Sequence, residues 1–187
     1  GEIEILKLSR FTDFFVPEFI KSGLVLEILE ILVKSRVKRI IITTKGIGDD
    51  RILKLIAANK EKFSYNCAVR PRNNLDFKEN VYNFEERIDF AARINSNKVL
   101  TTIHLDPFVP TFDDGENLKT LLMYAKNRGL TRIMFSYLLI SMEIFDYLKE
   151  ILDNDIIEKI KEIYDFNFKK RYLPEQNDTD YFTVKEE

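Results

Sequence analysis

Three strand-like stretches of this chain end on residues that can bind a ligand or move a proton. Leu6 to Asp13 closes on Thr12-Asp13, Ile40 to Lys45 closes on Thr44-Lys45, and Val99 to Pro107 carries His104 and ends on Asp106-Pro107. Thr12 and Asp13 supply acceptors for an amine, a hydroxyl or a metal, and Pro17 stiffens the segment after them. The competing role for either residue is to cap a turn. Lys45 could pair with a carboxylate or phosphate, or act as a base if burial depressed its pKa. A solvated lysine at a strand end is the commoner occurrence. His104 and Asp106 are two apart on a strand, which puts both side chains on one face, and with Asp13 they could form a metal site. His104 is the chain's 1 histidine, and a hydrogen-bonded histidine beside a turn-shaping Asp106-Pro107 is the more frequent arrangement.

The remaining reactive types are less suggestive. Cys67 falls mid-strand, where a cysteine usually serves as a small buried hydrophobe. No G-x-S-x-G elbow is present for a hydrolase nucleophile. Arg70, Arg72 and Lys78, with Tyr82 nearby, make a basic loop that could touch a phosphate, although a solvated loop is the plainer reading.

These residues need a scaffold, and the pattern supplies one. Strands are expected at Ile3–Leu8, Arg39–Thr44, Phe63–Ala68, Val99–Leu105 and Arg132–Leu139. Arg39–Thr44 is apolar enough to be a parallel strand buried on both faces. Helices are expected at Ser22–Lys34, Asp49–Asn59 (capped by Asp49 or Asp50) and Asn83–Ile94 (capped by Asn83). Another carries Leu118, Leu121, Leu122 and Ala125 and ends at Gly129, and two more come after it at Ser141–Leu152 and Ile156–Tyr164. Alternating strands and helices imply right-handed β-α-β units around a parallel sheet. Neither a G-x-G-x-x-G nor a P-loop succeeds any strand, which argues against a dinucleotide fold. Long polar connections at 71–82 and 107–117 suit a barrel with its site loops on one rim. The expected organisation is a barrel over residues 1–164 and an irregular C-terminal extension over 165–187.

Composition narrows the class without naming a function. Of the 187 residues 45% are hydrophobic and 32% charged, as in a soluble globular domain. With 29 basic and 31 acidic side chains, no global field draws the chain to nucleic acid or to an anionic membrane. A single cysteine excludes an internal disulfide framework and fits a reducing, cytoplasmic setting. The apolar runs are too short to span a bilayer, and the start, which lacks an initiator methionine, reads as cut or processed.

In order, the motifs make a more specific picture than they do singly. The chain resembles the spore photoproduct lyase and DNA-repair-photolyase-like branch of the radical S-adenosylmethionine (SAM) enzymes. The residues that carry the likeness are Thr12-Asp13 with Pro17, then Thr44-Lys45, then Ser64, Asn66 and Cys67 on the next strand. They continue with Glu85-Glu86-Arg87 on a helix, Asp106-Pro107 with Pro110 and Asp113-Asp114, and Phe135-Ser136-Tyr137. The resemblance covers about Leu6 to Leu139 and implies an α/β fold, a partial (β/α)6 TIM-like barrel whose first strand and cluster loop are missing. Enzymes of this branch hold a 4Fe–4S cluster on a C-x3-C-x2-C loop and cleave SAM to a 5′-deoxyadenosyl radical, with an electron donor such as flavodoxin or ferredoxin.

By resemblance, Thr12 and Asp13 hold the methionyl amine, Lys45 the carboxylate, and Ser64 and Asn66 are cofactor-binding, with Asn66 at the ribose. Asp106 and Tyr137 fall on the catalytic, substrate side of the lumen, with a nucleic-acid lesion as the implied substrate class. Two departures stand out: the cysteine triad is absent, and Phe11 stands where spore photoproduct lyase has a hydrogen-donating cysteine. The alternatives are a cluster-less barrel that binds a ligand or partner, and a metal-dependent barrel enzyme built on His104, Asp106 and Asp13.

Overall fold

The computed structural model describes residues 3–8, 13–71, 82–108, 115–171 and 180–185; the side chains of 106, 168–171, 180 and 183 fall outside that description. Five strands form one parallel sheet in chain order: β1 (Ile5–Leu8), β2 (Arg39–Thr44), β3 (Phe63–Ala68), β4 (Leu100–Phe108) and β5 (Ile133–Tyr137). Sequential parallel order with a helix in every crossover is barrel topology, and the architecture is α/β, a partial TIM-like barrel.

The crossovers are formed by α1 (Pro17–Ser22), α2 (Leu24–Lys34), α3 (Asp50–Ala58), α4 (Phe84–Ser96) and α5 (Gly115–Asn127). Their starts are written into the sequence. Asp49 caps α3 by accepting from the Ile52 N–H at 3.0 Å, and Asn83 caps α4 in a reciprocal box with Glu86. The helix expected at Ser22–Lys34 is α2, which begins at Leu24; a short helix that the pattern did not announce, α1, precedes it and ends at Gly23, whose φ is 87°.

Register divides the sheet into two unlike faces. Ile40, Ile42, Phe63, Tyr65, Cys67, Ile103 and Leu105 share the outer face and pack under the helices as one core with Leu29, Ile56, Ile88 and Leu121. The other face carries Thr43, Asn66 and Thr102 in register, with Ser64 beside Ile41 and His104 beside Ala68. β3 is covered on both faces, whereas β2 alternates between buried and half-buried residues. The expectation that β2 is buried on both faces therefore holds for one face only: Arg39, Ile41 and Thr43 are half-buried.

Beyond β5 the chain makes a second, smaller core. Helices α6 (Met142–Ile151) and α7 (Asn154–Ile163) pack with an antiparallel pair, β6 (Tyr164–Arg171) and β7 (Asp180–Val184). Ile140, Phe145, Ile157, Ile160, Tyr164 and Phe182 fill it. The extension expected to be irregular over 165–187 thus contains a hairpin. Its polar run at 174–178 lies outside the described residues; the flanking Phe166 and Phe182, with rings 4.5 Å apart, carry the apolar signal.

Candidate functional site

The exits of β1 and β2 are tied together by one carboxylate. Asp13 accepts from the Phe15 N–H at 2.9 Å, the Lys45 N–H at 2.6 Å and the Thr44 hydroxyl. Thr44 Oγ1 in turn accepts from the Gly46 N–H at 2.9 Å. Behind this knot the two backbones come close, and Gly46 is required: a Cβ there would lie 2.7 Å from the Phe15 Cβ and still nearer its carbonyl oxygen. Phe15, 1% exposed, then packs on Tyr65 and Phe90 at ring separations of 6.3 and 6.5 Å. The rim position of Lys45 is thereby built into the core, and its side chain is half-buried.

Beside the knot, Asn66 is buried and donates from Nδ2 to Thr43 Oγ1 at 3.1 Å, across matching register positions. His104, also buried, sits one strand further along the same face. The arrangement offers a cation, a buried amide and a nearly saturated carboxylate at adjacent strand ends. A carboxylate has about four acceptor sites, so three accepted bonds leave Asp13 room for roughly one further donor.

The structure does not gather every expected residue here. Ser64 lies near the start of β3, where the Arg39 Nη1–H donates to its hydroxyl at 3.2 Å, at the opposite end of the strand from the rim. Thr12 lies outside the described residues, as do Pro110 and Asp113-Asp114. Asp106 belongs to β4, but its side chain is outside the description. The pairing of His104 with Asp106 on one face assumed unbroken alternation, and the β4–β5 register shifts between Leu105 and Phe108.

Tyr137 also departs from the lumen position that the resemblance implies. Ile133 and Phe135 align with the outer-face residues Ile103 and Leu105, and alternation along β5 puts Tyr137 on that same side. Its ring lies 5.9 Å from both Phe108 and Phe135. Gly46 is the important residue that spacing alone passes over. The available signal was Thr44-Lys45-Gly46-Ile47-Gly48, two glycines directly after a buried strand.

Among the described residues no group of three or more His, Cys, Asp or Glu side chains is placed to hold a metal. Cys67 is fully buried, and burial pushes its thiol up to about 12 although Arg87 pulls the other way. Burial likewise raises the Tyr65 phenol, reinforced by Cys67 and Asp13 and opposed by Arg87. None of the described helices is long and apolar enough to cross a membrane.

No family model matches the chain, and no curated protein matches it. Solved structures of spore photoproduct lyase do share its fold. One is a double mutant with bound AdoMet and dinucleoside spore photoproduct, 13% identical, with a TM-score of 0.63 over 96% of this chain and 53% of that one. A second mutant, with dinucleoside spore photoproduct, is 12% identical, with a TM-score of 0.58 over 99% of this chain and 54% of that one. The chain therefore spans about half the length of the structures it matches.

Proposed function

We propose that this chain is the SAM-binding barrel portion of a radical SAM enzyme, with a nucleic-acid-like substrate. One observation carries the reading: the Asp13–Thr44–Lys45 knot and the neighbouring Asn66–Thr43 pair stand at adjacent strand exits of a fold shared with an AdoMet-bound enzyme. Lys45 would meet the methionyl carboxylate, the remaining acceptor site of Asp13 the amine, and Asn66 a ribose hydroxyl. Thr12 is proposed beside Asp13. SAM would supply the 5′-deoxyadenosyl group. The chain's part is to orient it and to keep water from the lumen.

A 4Fe–4S cluster does not fit the residues present. Such clusters need several thiolates, and this chain has 1 cysteine, buried in the core. The radical reading therefore requires thiolates, and a low-potential electron donor such as flavodoxin or ferredoxin, from outside these 187 residues. The same observation favours a second reading, a cluster-less barrel that binds SAM or a related nucleoside without cleaving it.

Equilibrium dialysis with labelled SAM tests what both readings share. The expected result is saturable binding that weakens in Lys45→Ala and Asn66→Ala; no binding, or binding indifferent to both changes, would overturn it. Anaerobic iron–sulfur reconstitution of the protein together with any cysteine-bearing segment separates the two readings. Formation of 5′-deoxyadenosine supports the enzyme, and its absence from a SAM-binding, cluster-loaded sample supports the binding module.

A further inference from the structure

Both ends of the long β3–α4 connection meet on one buried side chain. Arg87, in the second turn of α4, is 5% exposed. Its Nε–H donates to the Tyr82 carbonyl at 2.6 Å and its Nη1–H to the Ala68 carbonyl at 3.2 Å. Burying a guanidinium is costly unless its donors are satisfied, a penalty that a packed leucine would avoid. What the fork adds is geometric, since one rigid plane bonds two carbonyls from different segments, which a lysine's point charge does not reproduce.

The two carbonyls occupy informative places. Ala68 is the last residue of β3, two positions after Asn66 and in register with His104. Tyr82 immediately precedes the cap Asn83, whose reciprocal box with Glu86 fixes the start of α4 and therefore the base from which Arg87 reaches. At this end the β3–β4 pairing closes with the Val69 N–H donating to the His104 carbonyl at 3.1 Å.

We infer that Arg87 is a positioning residue for the ligand site. Its guanidinium clasps the end of β3 to the start of α4 and so sets the height of Asn66 and of the Ala68–His104 row at the rim. Arg87 itself touches no ligand in this scheme, and the inference rests on the SAM-binding reading above.

Arg87→Lys keeps the charge and loses the fork; Arg87→Gln keeps a planar donor and loses the charge, and serves if the lysine variant does not fold. In the folded variant, exchange of the Val69 amide should quicken about tenfold, while the core amide of Ile103, bonded to the Arg132 carbonyl, keeps its protection. SAM binding should weaken about tenfold in the same sample. A lower melting midpoint with unchanged SAM affinity would reduce Arg87 to a structural role and overturn the inference, as would unchanged Val69 exchange. A wild-type chain that binds no SAM would instead defeat the SAM reading, and Val69 exchange would still report on the clasp.

Discussion

The exits of β2 and β3 and the strand β5 belong to one sheet, yet they are held in opposite ways. At β2 a carboxylate, a hydroxyl and a glycine lock two loops onto a core in which Phe15 and Tyr65 are each 1% exposed. At β5 all five residues are exposed, and Phe135, at 56%, touches mainly its aromatic neighbours Phe108 and Tyr137. Both strands read as apolar runs with polar ends. The difference lies in the next helix along the chain: α3 returns onto the sheet after β2, whereas α6 after β5 packs into the second core. A strand becomes a rigid platform only when its crossover helix comes back to cover it, and the candidate site lies where that happens.

Mutations should respect this division, with the largest penalties at the locked end. Gly46→Ala forces a methyl group into the Phe15 backbone, and urea denaturation should show a loss of about 3 kcal/mol. Asp13→Asn removes the charge from three accepted hydrogen bonds and should cost about 2 kcal/mol by the same assay. A smaller loss from Asp13→Asn than from an exposed β5 change would break the comparison outright. Lys45→Ala should leave stability within ~0.5 kcal/mol and weaken SAM binding about tenfold. At the open end, Phe135→Ser should shift stability by no more than ~0.5 kcal/mol, read by the same urea denaturation.

Titration gives an independent check on the locked core. The folded Cys67 thiol lies at about 12, raised from 9.0, so the unfolded chain releases its proton first as the pH climbs. The stability that this group contributes is complete below pH 9 and declines between 9 and about 12. Cys67→Ala should flatten that decline in denaturation series at stepped pH. Tyr164, in the second core, is also pushed up to about 12, by burial and then by Tyr137, so Tyr164→Phe should flatten the corresponding loss above its ordinary 10.0. An undiminished decline in Cys67→Ala would mean that the β3 core is wetter than its packing indicates.

Much of the frame was legible because it rests on local rules. β2 and β3 start and stop where their β-branched and aromatic runs do, and Asp49, Asn83 and Ser141 cap the helices that begin just after them. Asp13 and Lys45 could be singled out from their positions at strand ends. That Asp13 spends its carboxylate on Thr44 and on the backbone of Phe15 and Lys45 could not, since those partners lie two to 32 residues away. Ser64 and Asn66 look equivalent on one strand, and only its direction and pairing separate the Arg39-bound end from the rim. The β6–β7 hairpin is hidden in the sequence because its intervening residues are polar, which outweighs the aromatic pair that brings its strands into the second core.

The sequence by itself determined the alternation of strand and helix and the polar character of the strand exits, because periodicity and capping act within a few residues. Only the tertiary structure decided which face each strand shows, how Gly46 admits Phe15, and that the β4–β5 register shifts between Leu105 and Phe108. Those outcomes depend on register between strands and on close packing across the sheet. A single residue's shift there exchanges inside for outside, and no local pattern in the chain specifies it.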